Sequence, residues 1–337
     1  MGIFHFLNVK HGDCSIIEHP NGHVTVIDVC NARHQTPFNE LADYLARADG
    51  NALKGDFGQK DHPVNPIEYM KGRNIKNIFR FINTHPDMDH LDGIKDLFEA
   101  FTVWNFWSTD NTCGKDFGDN SPYREEDWDH YVSLRDGTLQ GGPTGLKLHS
   151  GARGQYYNVG EDGTPGGDGI HVLAPTPELI SAANDSGDHN DCSYAILYRS
   201  NAGRILVMGD AHDKTMEHVL AHHAADVKDI DLLVAPHHGR HSDRDFEFLN
   251  WMRPKLTFFG NAPSEHLAYG PWNSRELPII TNNQAGSLIV DTNGTSMHVY
   301  ATNGAFARSR NSGAQWSAAH GGWYLGVIVP FERSAAE

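Results

Sequence analysis

The sequence predicts an α/β protein built on two β-sheets with helices packed outside them. Three observations carry this. Strand and helix patterns alternate in two successive blocks. Each block opens on a run of strands, which fits two sheets better than one doubly wound parallel sheet. Apolar content of 39% with seven Trp and sixteen Phe among 337 residues supplies a large core.

In chain order, residues 3–9 and 14–18 read as strands joined by Lys10-His11-Gly12-Asp13. Asn21-Gly22 marks a hairpin turn before a third strand at 23–29. Residues 38–49 carry helical apolar spacing (Phe38, Leu41, Tyr44, Leu45). The run Ile78-Phe79-Arg80-Phe81-Ile82 is β-branched and aromatic and stops at Asn83-Thr84-His85-Pro86, so a strand empties into a turn. Residues 91–101 follow as a helix with Leu91, Ile94, Leu97 and Phe98 on one face, then a short strand from Val103 to Trp107. From 108 to 169 glycine and charge dominate, which predicts an irregular insertion with a short helix near 124–134, acting as a lid or a linker. Strands return at 170–173, 192–199, 204–208, 231–235, 256–260, 287–291 and 296–300, the last two joined by Asn293-Gly294. Helices are expected at 213–224 and 243–252. One domain is thus placed at 1–305, with 306–337 as an extension.

The net charge of −16 argues against a protein that holds nucleic acid by a basic face, though not against a nuclease whose metal ions supply positive charge. No stretch is apolar enough to span a membrane, the N-terminus reads as a strand and not a signal peptide, and the four cysteines are widely spaced with no Cys-x-x-Cys pair. A cytoplasmic protein with reduced thiols is expected.

The segment His85-Pro86-Asp87-Met88-Asp89-His90 places two imidazoles and two carboxylates within six residues at a strand end. That donor set suits a borderline divalent cation such as Zn²⁺, Mn²⁺ or Fe²⁺. Other strand ends carry similar groups: Asp28 near the end of the third strand, Gly209-Asp210-Ala211-His212, and Pro236-His237-His238-Gly239. Four such strand ends point to one shared site. Gly-x-Ser-x-Gly is absent, which disfavours a serine hydrolase, and Cys14 and Cys192 read as core residues. Arg240, His241 and Arg244 follow the His-His-Gly turn and could meet a phosphate.

This order of motifs resembles the metallo-β-lactamase-fold hydrolases, and more finely the metallohydrolase domain of the bacterial DNA-uptake (ComEC) family. Phe6-Leu7-Asn8-Val9-Lys10-His11-Gly12-Asp13 parallels that family's opening pattern, and Asn190-Asp191-Cys192-Ser193 its Asn-Asp-x-Ser segment. The resemblance implies a four-layer αββα sandwich with a metal pair at one edge of the sheets. It implies His85 on the first metal, Asp89 and His90 on the second, Asp210 bridging, and one of His237 and His238 completing the second site. His238 is favoured as the ligand and His237 as a supporting or phosphate-facing group. Asp28, and Asp13 more weakly, would support the ligands from behind. His266 would lie near the substrate, with Arg240 and His241. The expected nucleophile is a metal-bound hydroxide oriented by Asp89 or Asp87.

Three departures matter. Asp87 stands where the family commonly has a second histidine, and this oxygen donor admits Mn²⁺ or Mg²⁺ beside Zn²⁺. The histidine expected between the loop and Asp210 has no clear counterpart: His189 lies close, but Asn190 and Asp191 align. Asn8 and Lys10-His11 replace more typical residues. The expected activity is metal-dependent hydrolysis of phosphodiester bonds, as a nuclease or on a small phosphodiester. A lactam, amide, ester or thioester is the alternative bond, and a binding module with a decayed site the further one. A homodimer is admitted through the 108–169 insertion.

Overall fold

The computed structural model of the chain describes residues 2–34, 56–242 and 244–333. The helix expected at 38–49 lies outside them. Two sheets face one another across an apolar layer. The larger sheet has ten strands. Its centre is β1 (Ile3–Phe6), flanked by β2 (Ser15–Glu18) and β3 (Val24–Ile27) on one side, followed by β4 (Asn77–Ile82), β5 (Thr102–Trp107) and β6 (Thr144–Leu146). The smaller sheet carries β7 (Ile170–Ala174), β8 (Ala195–Ser200), β9 (Gly203–Val207), β10 (Leu232–Val234), β11 (Leu256–Phe259) and β12 (Ile279–Thr281). The chain then returns to the larger sheet through β13 (Leu288–Asp291), β14 (Met297–Ala301), β15 (Trp316–Ser317) and β16 (Gly322–Ile328).

Alternation within the strands sorts side chains between layers. Phe4, Phe6, Ile17, Ile27 and Ile82 of the larger sheet meet Val172, Ile196, Ile205, Val207 and Val234 of the smaller one. Ile16, Val26, Ile78 and Phe81 point outward and pack under α1 (Pro66–Gly72), α2 (Ile94–Ala100) and α3 (Glu125–Arg135). Leu197, Leu206 and Leu233 point outward from the other sheet. There they meet Met216 and Val219 of α4 (Asp213–His222), and Phe248 and Leu249 of α5 (Phe248–Met252). The result is the four-layer αββα sandwich. Among the described residues no helix is long and apolar enough to cross a membrane, and all four cysteines are free.

Three expectations need correction. The 108–169 segment is less irregular than its composition suggests. It supplies the short helix expected near 124–134 as α3, with Trp128, Tyr131 and Leu134 buried, and the unexpected element β6, which pairs parallel with β5 and ends the sheet. Its glycines sit in turns between elements that are themselves packed. Nor does the sheet stop at 305: β16 pairs antiparallel with β14, Met297 facing Ile328, so residues up to 328 belong to the same sandwich. The helix expected at 243–252 is only the turn and a half of α5, and a helix at Pro177–Ser186, capped by Thr176, was not expected at all.

The topology fixes where loops gather. β3 and β4 are parallel, as are β9 and β10. Their C-terminal ends open at one edge of the sandwich, the place where parallel strands deliver functional loops.

Candidate metal centre

Asp28 closes β3 with φ of 57°, a left-handed conformation that Asp tolerates better than most residues. Its carboxylate is buried and clamps the histidine loop. Oδ1 accepts from the backbone N–H of Thr84 (2.7 Å) and the Asn83 amide (3.3 Å); Oδ2 accepts from the Thr84 hydroxyl (2.6 Å) and lies 2.8 Å from His90 Nδ1. The single hydroxyl hydrogen of Thr84 goes to Asp28. The hydroxyl oxygen can therefore only accept from His85 Nδ1, 3.0 Å away, which leaves His85 Nε2 as a lone pair facing the site. Asp13 does the same for His238, with Oδ1 3.0 Å from Nδ1. All three imidazoles are thus held from behind through Nδ1 with Nε2 forward.

Those Nε2 atoms converge on Asp210. Its Oδ1 lies 3.1 Å from His90 Nε2, and its Oδ2 lies 3.4 Å from His238, 3.5 Å from His237 and 3.8 Å from His85. Asp89 Oδ2 is 3.3 Å from His238 Nε2. Asp89, His90, Asp210 and His238 each offer one ligand atom, and these four atoms lie within 4.8 Å of one another. His85 Nε2, His90 Nε2 and Asp210 Oδ1 are buried without a hydrogen-bond partner, although His90 Nε2 and Asp210 Oδ1 approach to 3.1 Å. Buried donors and acceptors are otherwise nearly always paired, so three orphaned atoms aimed at one point fit a cation.

Charge balance agrees. Burial would lower the pKa values of His90 and His238, but the carboxylates overcome it. Asp210 and Asp28 hold His90, and Asp210 and Asp13 hold His238, well above the ordinary imidazole range. Burial would raise Asp210, but His238 and His90 hold it well below the usual carboxylate range. The buried acids thus draw protons onto the imidazoles; a divalent ion would supply the same positive charge in their place.

Beside this cluster, His85 Nε2 lies 3.6 Å from Asp87 Oδ2, and the Lys115 ammonium sits 2.6 Å from Asp87 Oδ1. His189 has a buried, unpartnered Nε2 and senses the charges of Asp87, Lys115 and His85, while burial lowers its pKa.

Backbone strain marks the Pro-His-His-Gly turn. His237 and His238 both adopt left-handed conformations, φ 53° and 56°, and such residues cost about 1–3 kcal/mol each. Gly239 follows at φ 83°, where a Cβ would stand 2.4 Å from the Phe259 ring. Arg244, expected as a phosphate contact, instead ties the turn together, donating to the carbonyls of Ala211, Pro236 and Arg240. Gly12 has an equally specific reason: a Cβ there would lie 1.7 Å from the Asp89 carbonyl oxygen.

The other predicted residues divide. His237 points Nε2 at Asp210, and its Nδ1 lies between Ser242 Oγ (3.0 Å) and His212 Nε2 (3.2 Å); burial takes its pKa down to about 3. Asn190 reaches His212 at 3.4 Å. Asp191 is not placed as a ligand, since Oδ1 accepts from Thr215 N at the start of α4. Arg240 is half-buried, while His241 and His266 are exposed; the last two are joined through a backbone bond and stand at the rim. Phe106 and Trp107 are core residues, and Trp104 is exposed. Sequence reasoning did not assign Thr84, Lys115, His212 or Ser242. His212 lies two residues after Asp210 and was within reach of the motif; Lys115 has no local signal.

A scan against protein-family models finds no match, and no curated protein matches significantly. Among solved structures the chain is similar to Igni18, a metallo hydrolase from the hyperthermophilic archaeon Ignicoccus hospitalis, at 12% identity and TM-score 0.44, over 86% of this chain and 99% of that one. It is similar to a diphosphatase of the PhnP family at 15% identity and TM-score 0.38, over 80% and 81%. It is also similar to unliganded yeast PDE1 at 12% identity and TM-score 0.40, over 83% and 98%. Neither the fold nor the activity of this chain rests on these likenesses.

Proposed function

We propose that the protein is a metal-dependent hydrolase acting on phosphodiester bonds, of the metallo-β-lactamase type and nearest in motif to the DNA-uptake branch. The observation that carries the reading is the convergence of four ligand atoms within 4.8 Å, with orphaned Nε2 and Oδ1 atoms among them. Asp89, His90, Asp210 and His238 would hold one divalent ion, and His85, Asp87 and Asp210 a second, Zn²⁺ first and Mn²⁺ or Mg²⁺ beside it. Bound there, such ions lower the pKa of water and neutralise charge developing on a phosphoryl oxygen.

The chain's own residues do the rest. Asp28, Asp13 and Thr84 fix the tautomers and aim the imidazoles, a role whose loss commonly weakens metal binding. Asp89 and Asp87 are partly exposed at the mouth, and one or the other would orient the attacking water by accepting a hydrogen bond from it. His237, neutral and held through Nδ1 by Ser242, would stand beside Asp210 as the phosphate-facing group. The motif resemblance supports a phosphodiester. The charge of −16 supports a small substrate over long duplex DNA.

The test is metal content by mass spectrometry, paired with hydrolysis of bis-nitrophenyl phosphate, single-stranded DNA and nitrocefin by wild type and Asp210→Ala. Bound metal with phosphodiesterase activity lost in the variant is the expected result. Hydrolysis of nitrocefin alone would replace the phosphodiester reading with a lactam one, and absence of metal would end the enzyme reading.

A further inference from the structure

The two halves of the centre differ in charge. Among the described residues, the ion pairs of Asp89 and Asp210 are all with imidazoles. Asp87 is different: one oxygen faces His85 at 3.6 Å and the other is held at 2.6 Å by the Lys115 ammonium. This lysine does not hang from a loose loop. Asn111 donates to Thr109 and to the Tyr131 hydroxyl (2.7 Å). Arg135 donates to Asn111 Oδ1 (3.3 Å) and the Cys113 carbonyl (3.0 Å), and the Thr112 N–H donates to Asn184 (2.9 Å). The ammonium also stands 6.0 Å from the Trp128 ring centre. Its side chain is about a quarter exposed, so it faces both Asp87 and the mouth.

A fixed positive charge beside a cation position repels a second cation and consumes the carboxylate that would bind it. From this we infer that Lys115 is a resident cation at the first position. The Asp89–His90–Asp210–His238 position fills alone at low metal, and Lys115 takes over the first metal's part in facing the substrate's anionic oxygen. The inference deepens the hydrolase reading and rests on it. It also gives the departure at this position, Asp87 in place of a histidine, a reason: a carboxylate pairs with an ammonium where an imidazole would not.

The test is equilibrium dialysis of the full chain against Zn²⁺ and, separately, Mn²⁺, with bound metal counted by mass spectrometry, for wild type, Lys115→Met and Lys115→Arg. Methionine keeps the unbranched stem against Trp128 without the charge, and arginine keeps the charge. Wild type and Lys115→Arg are expected to hold one equivalent tightly and the second at least about tenfold more weakly, with Lys115→Met strengthening the second by about tenfold or more. Two equally tight equivalents in wild type, or a second equivalent unmoved in Lys115→Met, would overturn the inference and leave the hydrolase reading standing. No metal bound by any of the three would remove both.

Discussion

Asp28→Asn is the substitution that most directly separates support of the metal centre from support of the fold. Asparagine is isosteric, but it replaces one acceptor oxygen with a donor. Asp28 now receives the Thr84 N–H, the Thr84 hydroxyl, the Asn83 amide and His90 Nδ1–H. If the retained oxygen keeps the two bonds at Oδ1, the new NH₂ meets the Thr84 hydroxyl and His90 Nδ1. The hydroxyl can turn and accept, but His90 must then offer Nδ1 as a lone pair and carry its proton on Nε2, the atom aimed at Asp210. Bonds to charged groups are worth about 1.5–3 kcal/mol, and loss of such a supporting carboxylate commonly costs 10–100-fold in metal affinity, about 1.4–2.7 kcal/mol. The assay is competition for Zn²⁺ against a chromophoric chelator, run beside a thermal melt of the metal-free protein. The expected result is a 10–100-fold weaker tight site with a melting midpoint lowered by only a few degrees. Unchanged affinity with a large fall in the midpoint would refute the argument, because Asp28 would then serve only the β3–β4 junction.

Further perturbations probe other links. Gly12→Ala pushes a methyl group against the Asp89 carbonyl; Asp89 must move by about 1 Å, and displacement on that scale can cost 10²-fold in activity. Metal counting and a melt would check it, and full occupancy with full activity would sink it. Arg80 donates to Asp168 at 2.5 Å in a buried pair far from the metal cluster. Asp168→Ala leaves that guanidinium uncompensated and should cost about 3–5 kcal/mol in a denaturant melt without changing metal content. Acid stability follows from His5 and His19. Burial lowers their folded pKa values to about 4 and about 3, against 6.5 unfolded, and Asp168 only partly opposes this at His19. Depressed values mean that the unfolded chain binds more protons, so the stabilisation is complete above pH 6.5 and drains away as pH falls towards 4 and then 3. Melting midpoints from pH 7 to 4.5 should fall less steeply in His19→Gln than in wild type, and equal slopes would exclude His19 as a contributor.

Much of this was legible in the residues, for identifiable reasons. Strands such as β4 and β9 announce themselves because apolar residues predominate in them and most of their positions are buried. Their ends announce the site because His and Asp there have few structural uses. What stayed hidden depended on tertiary partners. Lys115 lies 28 residues from Asp87 in a stretch whose glycines suggested disorder, and only the packing of Tyr131 and Arg135 brings it in. Asp191 looked like a ligand by alignment, yet caps a helix that starts more than twenty residues later. β16 escaped because it opens on Gly322 and is interrupted by Gly326, which stands opposite Val299 of β14. The helix at 177–186 had signals that went unused, Thr176 and Pro177 at its start and Gly187 at its end.

The place of β1 has a consequence for how the protein is made. β1 lies between β2 and β13, and Ile3 pairs with Asp291. Emerging from the ribosome, the first strand can form its hairpin with β2 at once, but its other edge stays open until almost the whole of the described chain has been synthesised. During that interval an unpaired strand edge is a template for any other strand that meets it. Synthesis halted before residue 288 would leave that edge permanently open and both layers of the core half-covered. Such a product would be expected to aggregate or be degraded, so the sandwich forms only once β13 has been made.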